Sequence, residues 1–262
     1  MRDSPLSLTL GELRSEVARF FQFGRDYDGL PSREKADVDA CVRRGLRQYL
    51  SPPPLPGEAE GHSWTFLRPT GTVTTADGTG SYSLPNNFGG IVGSITYQSS
   101  SDGAFRPIEV TSLSALRAKK QAQNLSAGRP EIAAIDPVST ASGEISYPTR
   151  FQMTLWPTPD SAYTLEFQYI ANIEDLTKMG PETAMPGGQQ HGETLIASCL
   201  AIGESMMEQN RFQFAQIFIQ RLAASVSLDR RLQMPSNFGQ NADNSDGVYR
   251  VRRTSSRVNY TT

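Results

Sequence analysis

Residues 44–54 read Arg-Gly-Leu-Arg-Gln-Tyr-Leu-Ser-Pro-Pro-Pro, and the fold turns on how this stretch ends. Gly45, Leu46, Tyr49 and Leu50 continue an apolar face begun by Val38 and Val42, at the spacing of one side of an α-helix. Pro52, Pro53 and Pro54 cannot extend it, because proline has no amide hydrogen and a fixed φ. The helix stops there, and a different kind of sequence follows.

Towards the N-terminus, Ser32 is the expected cap of this helix. Thr9 and Glu12, three residues apart, carry the capping-box pattern of an earlier one, in which Leu10, Leu13, Val17, Phe20 and Phe21 recur at helical spacing. Gly24 and Asp26 close it, which predicts two helices of about four turns each.

Beyond the prolines, from Gly61 to about Ile173, Gly, Pro, Ser and Thr become frequent, and short β-branched and aromatic runs alternate with turn signals. Strands are predicted over 63–67, 71–75, 81–84, 91–98, 105–110, 132–135, 150–156 and 163–170. Asp77-Gly78 suits a hairpin turn that needs positive φ, and Pro157-Thr158-Pro159-Asp160 a tight connection between the last two strands. Ser112 to Gln123 reads as one short helix whose Arg117, Lys119 and Lys120 form a basic face, solvated or partner-binding.

Helical spacing returns near Gly188, with Leu195, Cys199, Ile202 and Met206 on one stripe. It continues from Arg211 to Leu232, with Phe214, Phe218, Leu222 and Val226 on another. Leu200, Phe212 and Ile219 lie off these stripes, which fits packing on two sides. From Pro235 onward Asn, Ser, Gly and Asp dominate, so this segment is expected to be extended or disordered by itself. Its second half interleaves Tyr249, Val251, Val258 and Tyr260 with Arg250, Arg252, Arg253 and Arg257, the composition of a tail that orders on a partner.

The composition limits the chemistry. With 25 Lys and Arg against 27 Asp and Glu, a net charge of -2 and a pI near 5.8, the chain lacks the basic surplus of a protein that grips phosphates. Cys41 and Cys199 each fall inside a predicted helix, which argues for buried free thiols and against a disulfide framework or a zinc site. Residues 1–10 hold no long apolar run and no stretch approaches the ~20 apolar residues of a membrane span, so a soluble protein made in a cytoplasm is expected.

The two histidines, His62 and His191, stand about 130 residues apart in no metal or triad spacing, and surface or capping roles are expected of both. Glu174 and Asp175 are adjacent and point apart, and Gly78-Thr79-Gly80 lacks the Lys and the helix of a phosphate loop. No catalytic residue, cofactor or metal is assigned, and a non-enzyme is expected.

At the level of motifs, Leu10-Gly11-Glu12-Leu13-Arg14 with the stretch from Phe20 to Asp26, and the helix ending at residues 44–50 before the prolines, resemble the helical start of tailed-bacteriophage head-to-tail adaptor proteins. Ser81-Tyr82-Ser83-Leu84-Pro85-Asn86-Asn87-Phe88 is similar to that family's Y-x-L-P-x-x-F segment, and Gly128-Arg129-Pro130 to its G-x-P before a strand. Leu155-Trp156-Pro157-Thr158-Pro159-Asp160, followed by Tyr163-Thr164-Leu165 and Tyr169, looks like its paired strands joined at a P-x-P turn. Pro186-Gly187-Gly188 and the helix over 193–208 match the return to the helices, so the resemblance spans most of residues 9–234.

The resemblance implies an α+β fold: a four-helix-type α-helical bundle, an inserted β-rich domain and an extended C-terminal tail. The corresponding divisions are 1–60, 61–173, 174–234 and 235–262. It also implies a virion protein of the neck, a homo-oligomeric ring commonly of twelve subunits. Such a ring sits under the portal protein, prolongs the DNA channel without sequence-specific binding, and offers a platform to a tail nozzle, tail tube or neck protein. Portal binding would fall to the tail, on Phe238, Tyr249, Arg250, Arg252, Arg253, Arg257 and Tyr260. Two other readings remain: a carbohydrate-binding tail component stacking sugars on Trp64 and Trp156, and a virion-associated cell-wall hydrolase using a Glu or Asp as general acid.

Overall fold

A computed structural model describes residues 6–98, 105–123, 127–139, 149–173, 178–207 and 213–233. Helix α1 (Leu10–Phe20) opens on the expected capping box: the Glu12 amide donates to the Thr9 hydroxyl at 3.2 Å and the Thr9 amide to the Glu12 carboxylate at 2.8 Å. Helix α2 (Ser32–Leu50) starts one residue earlier than read, because Ser32 is its first helical residue and Pro31 its cap. Helices α4 (Gly188–Met206) and α5 (Gln213–Gln233) follow the β region.

The strands are β1 (Thr70–Thr74), β2 (Ser81–Ser83), β3 (Phe88–Tyr97), β4 (Glu109–Thr111), β5 (Ile132–Pro137), β6 (Phe151–Trp156) and β7 (Thr164–Ala171), with helix α3 (Leu113–Ala122) between β4 and β5. They form two sheets, one ordered β1-β7-β3 and the other β2-β6-β5-β4. Leu165, Phe167 and Tyr169 of β7 and Ile95 of β3 pack against Met153 and Leu155 of β6 and Ala133 of β5, so the two sheets enclose one core. Ile132, Ala134 and Trp156 face the other way and meet Leu116 of α3. That is why three successive residues of β5 are buried, where a strand with one wet face would alternate.

Three sequence expectations change here. Residues 63–67 are not a strand: Thr65–Leu67 form a 3-10 turn that brings Trp64 and Phe66 beside Tyr49. Gly78 has the positive φ expected of the Asp77-Gly78 turn, yet β1 pairs with β7 and β2 with β6, so the turn joins two sheets. The Pro157–Asp160 connection does the same, because β6 and β7 lie in different sheets.

A larger correction concerns the four-helix-type bundle. The described residues hold five helices and two sheets, and α1 has 11 residues against 19 in α2 and 21 in α5, so the helices are not matched staves. Close backbone approaches join α4 to α2, α5 and α1. The reason lies in α4 itself, where Leu195, Ala197, Ser198, Cys199, Gly203 and Glu204 are all buried, too wide an arc for a single partner. The architecture is mixed α+β with a substantial β part, and α4 is the hub of its helical layer.

The α2–α4 contact is close enough to require glycine. A Cβ on Gly45 would lie 2.5 Å from Cys199 Sγ and 2.7 Å from Cys199 Cα. With no side chain in the way, the Ser198 hydroxyl donates to the Gly45 carbonyl at 2.8 Å and the Cys41 thiol to the Cys199 carbonyl at 3.2 Å. Around this seam Leu10, Leu13, Val17, Val38, Tyr49, Trp64, Leu195, Phe218 and Leu222 form one apolar core. Full burial of each large side chain contributes roughly 1.5–3 kcal/mol.

Candidate interaction surfaces

The end of α5 is held to the segment between α2 and β1 by a buried carboxylate. Asp229, 1% exposed, lies on the face of α5 that also carries Phe218, Leu222, Ser225 and Val226. It accepts a hydrogen bond from the Thr65 hydroxyl, another from the Thr65 amide at 3.2 Å, and one from His62 Nε2 at 2.7 Å. A carboxylate can only accept, so Nε2 carries the proton. Burial raises the Asp229 pKa, while the Thr65 and His62 hydrogen bonds lower it, and the net shift is downward. One residue on, Arg230 pairs with Glu58 at 2.7 Å.

Aromatic rings support this clasp. The Trp64 indole donates to the Tyr49 carbonyl at 2.8 Å and meets His62 edge-on, with Phe66 stacked against it and His191 at its other side. Burial depresses the His191 pKa, and its Nδ1 finds no hydrogen-bond partner. Both histidines were expected at the surface or in caps, and both are buried parts of a joint. The signal for Asp229 was available in the sequence: it continues the stripe of Leu222 and Val226, and an acid on a buried stripe requires a partner. Nothing local named His62 as that partner.

At its other end α5 is capped by Glu204 of α4, 5% exposed, whose carboxylate accepts from the amides of Gln213 and Phe214, each at 3.0 Å. A negative charge at a helix N-terminus is favourable because the first amides point at it. The helix that leads into the C-terminal segment is thus fixed at both ends.

The outward surfaces carry the remaining candidates. Ile219 is 45% exposed on the solvent side of α5, in keeping with its position off the main stripe. Arg117, Lys119 and Lys120 are exposed on α3, and Lys119 Nζ lies 5.8 Å from the centre of the Trp156 ring. Trp64 is 0% and Trp156 3% exposed, so neither presents a face to a sugar. A recess of about 370 Å³ opens on the outer face of the three-stranded sheet where β3 bulges at Gly93, lined by Thr70, Thr96, Glu166 and Gln168.

Cys41 and Cys199 are free and buried. Burial pushes the Cys41 thiol up to about 12 and raises Cys199 well above its ordinary value, so both are poor nucleophiles. Among the described residues no group of three or more His, Cys, Asp or Glu side chains could hold a metal, and no helix is long and apolar enough to cross a membrane. Phe238, Tyr249, Arg250, Arg252, Arg253, Arg257 and Tyr260, assigned to portal binding from the sequence, lie outside the described residues.

The family model described as SU10 adaptor protein matches residues 8–242. No curated protein matches the chain. The match covers both helical regions and all seven strands, and the chain belongs to the SU10 adaptor protein family, phage head-to-tail adaptors that are structural proteins of the virion.

Proposed function

We propose that the chain assembles as a ring, of twelve subunits, between the portal and the tail, where it prolongs the DNA channel and presents a platform for the next tail component. Membership of the adaptor family over residues 8–242 is the observation that carries this reading. The N-terminal helices 1–60 and C-terminal helices 174–234 form the frame, the strands of 61–173 give a separate surface, and residues 235–262 reach the portal. Contact falls to Phe238, Tyr249, Arg250, Arg252, Arg253, Arg257 and Tyr260, with the arginines pairing with acidic portal groups. Five of these seven residues, Arg250 to Tyr260, and Tyr249 beside them, lie beyond residue 242, where the family match ends.

A tail that orders on its partner costs conformational entropy, and a ring offsets that by repeating the contact in every subunit. The net charge of -2 suits a channel through which DNA slides, because binding strength grows with the number of phosphates neutralised. No catalytic step enters this reading, and ejection of the genome needs only an open channel. Electron microscopy of the purified chain with and without portal tests it. Twelvefold rings seated under the portal are expected, and a chain that stays monomeric on purified portal overturns the ring.

A further inference from the structure

The edges of the two sheets are not equally protected. In the four-stranded sheet the edge strands β2 and β4 have three residues each. In the other sheet β3 is interrupted by a bulge and bridged at Ile95 to Ile108. Strand β1 is the exception: five residues, Thr-Gly-Thr-Val-Thr, with no bulge in its pairing, no charge and no internal proline. Such an edge is a template for a further strand, which proteins ordinarily block with lysine, proline or a bulge.

The backbone groups it offers follow from the register. Tyr169 N–H donates to the Pro69 carbonyl and Thr75 N–H to the Tyr163 carbonyl, which fixes the hydrogen-bonded pairs with β7 at Gly71 and Val73. The amides and carbonyls of Thr70, Thr72 and Thr74 therefore point away from β7, and among the described residues no strand or bridge meets them.

We propose that residues 257–261 of the same chain add to this edge as an antiparallel strand in the free subunit. Three features select that occupant. First, the sequence Arg-Val-Asn-Tyr-Thr alternates as β1 does. Tyr260 then falls beside Gly71, whose missing side chain leaves an edge position that a neighbouring aromatic ring covers, and Val258 falls beside Val73. Second, Arg257 falls on the face that holds Glu166, the only charged residue in the three strands of this sheet. Third, the clasp sets the end of α5 against Thr65, five positions before Thr70, so the segment starts near the edge it is to join. The residues from 234 to 256 span up to roughly 75 Å when extended, far more than the path requires.

This rests on the portal-docking reading in one respect: the strand stores the tail that the portal later takes, and it covers the edge until then. The test uses the full chain with Thr72→Cys and Asn259→Cys, side by side in the proposed pairing, where strand partners lie about 5.5 Å apart. The two native thiols are buried and do not compete. Mild oxidation is expected to give a disulfide within one chain, at least tenfold faster than in a control with Asn259→Cys and Ser81→Cys.

Equal rates, a link only between chains, or no link overturns the proposal. The oxidised chain is expected to bind portal at least tenfold more weakly than the same chain reduced. If the fast link forms and portal binding is the same in both states, the edge strand stands and the docking role of the tail falls.

Discussion

Asp229 and His62 meet at 2.7 Å although 167 residues separate them in the chain. Together with Thr65 they make the buried clasp between α5 and the entry to β1, and both carboxylate oxygens of Asp229 are used in it. Asp229→Ala leaves the Thr65 amide, the Thr65 hydroxyl and His62 without that acceptor, and the expected loss is on the order of 3 kcal/mol. Asp229→Asn retains an acceptor oxygen and should lose clearly less. Urea denaturation followed by circular dichroism measures both; equal, small losses would mean that the clasp does not hold α5.

Acid should loosen the same joint in two stages. Burial holds His191 below its ordinary value of 6.5, with Asp229 pulling the other way. A group whose folded-state pKa is depressed contributes stability that is present above the unfolded value and lost as pH falls through the folded one. Stability therefore declines as pH drops below about 6.5, and a second loss, from Asp229, begins near its ordinary 3.8. His191→Phe keeps a ring against Trp64 and Phe66 and removes a buried nitrogen that has no partner. Urea midpoints taken from about pH 7 to about pH 4.5 should flatten in this variant. An unchanged slope would exclude His191 as its source.

Gly45→Ala should destabilise the chain by about 2 kcal/mol even though alanine is the better helix former. The added carbon overlaps Cys199, including its backbone, which cannot turn aside as a flexible side chain can. Gly203→Ala meets the Phe20 ring at 2.9 Å, and that ring can shift, so its cost should be smaller. Thermal melts of the two variants rank the contacts directly.

What the sequence made legible was local. The Thr9–Glu12 capping box, the end of α2 before Pro52 and the burial of both cysteines follow from spacing and backbone chemistry within a few residues. Strand pairing does not follow in that way. The Asp77-Gly78 turn specifies a positive φ but not the partner, and the partners of β1 and β2 lie more than 70 residues away in β7 and β6. The hub role of α4 was hidden because its small buried residues, Ala197, Ser198 and Gly203, do not register on an apolar stripe. Trp64 and Trp156 looked available to a sugar only because burial is a property of the neighbours.

Portal binding through the arginines should weaken with salt. Replacing Arg250, Arg252, Arg253 and Arg257 by Gln removes four positive charges from the C-terminal segment. Such charges act mainly on the rate of association and are screened beyond a Debye length of about 8 Å at physiological ionic strength. The variant should associate at least tenfold more slowly at low salt and approach the unmodified chain at high salt. Parallel salt dependence in the two proteins would exclude these side chains.

The account as a whole stands on docking of the C-terminal segment to the portal. Its most direct test is the affinity of the assembled chain for purified portal rings, measured for the full chain and for a chain cut after Met234. The full chain should bind, and the cut chain, with its helices and sheets unchanged by circular dichroism, should bind at least tenfold more weakly. Equal affinity of the two would contradict it.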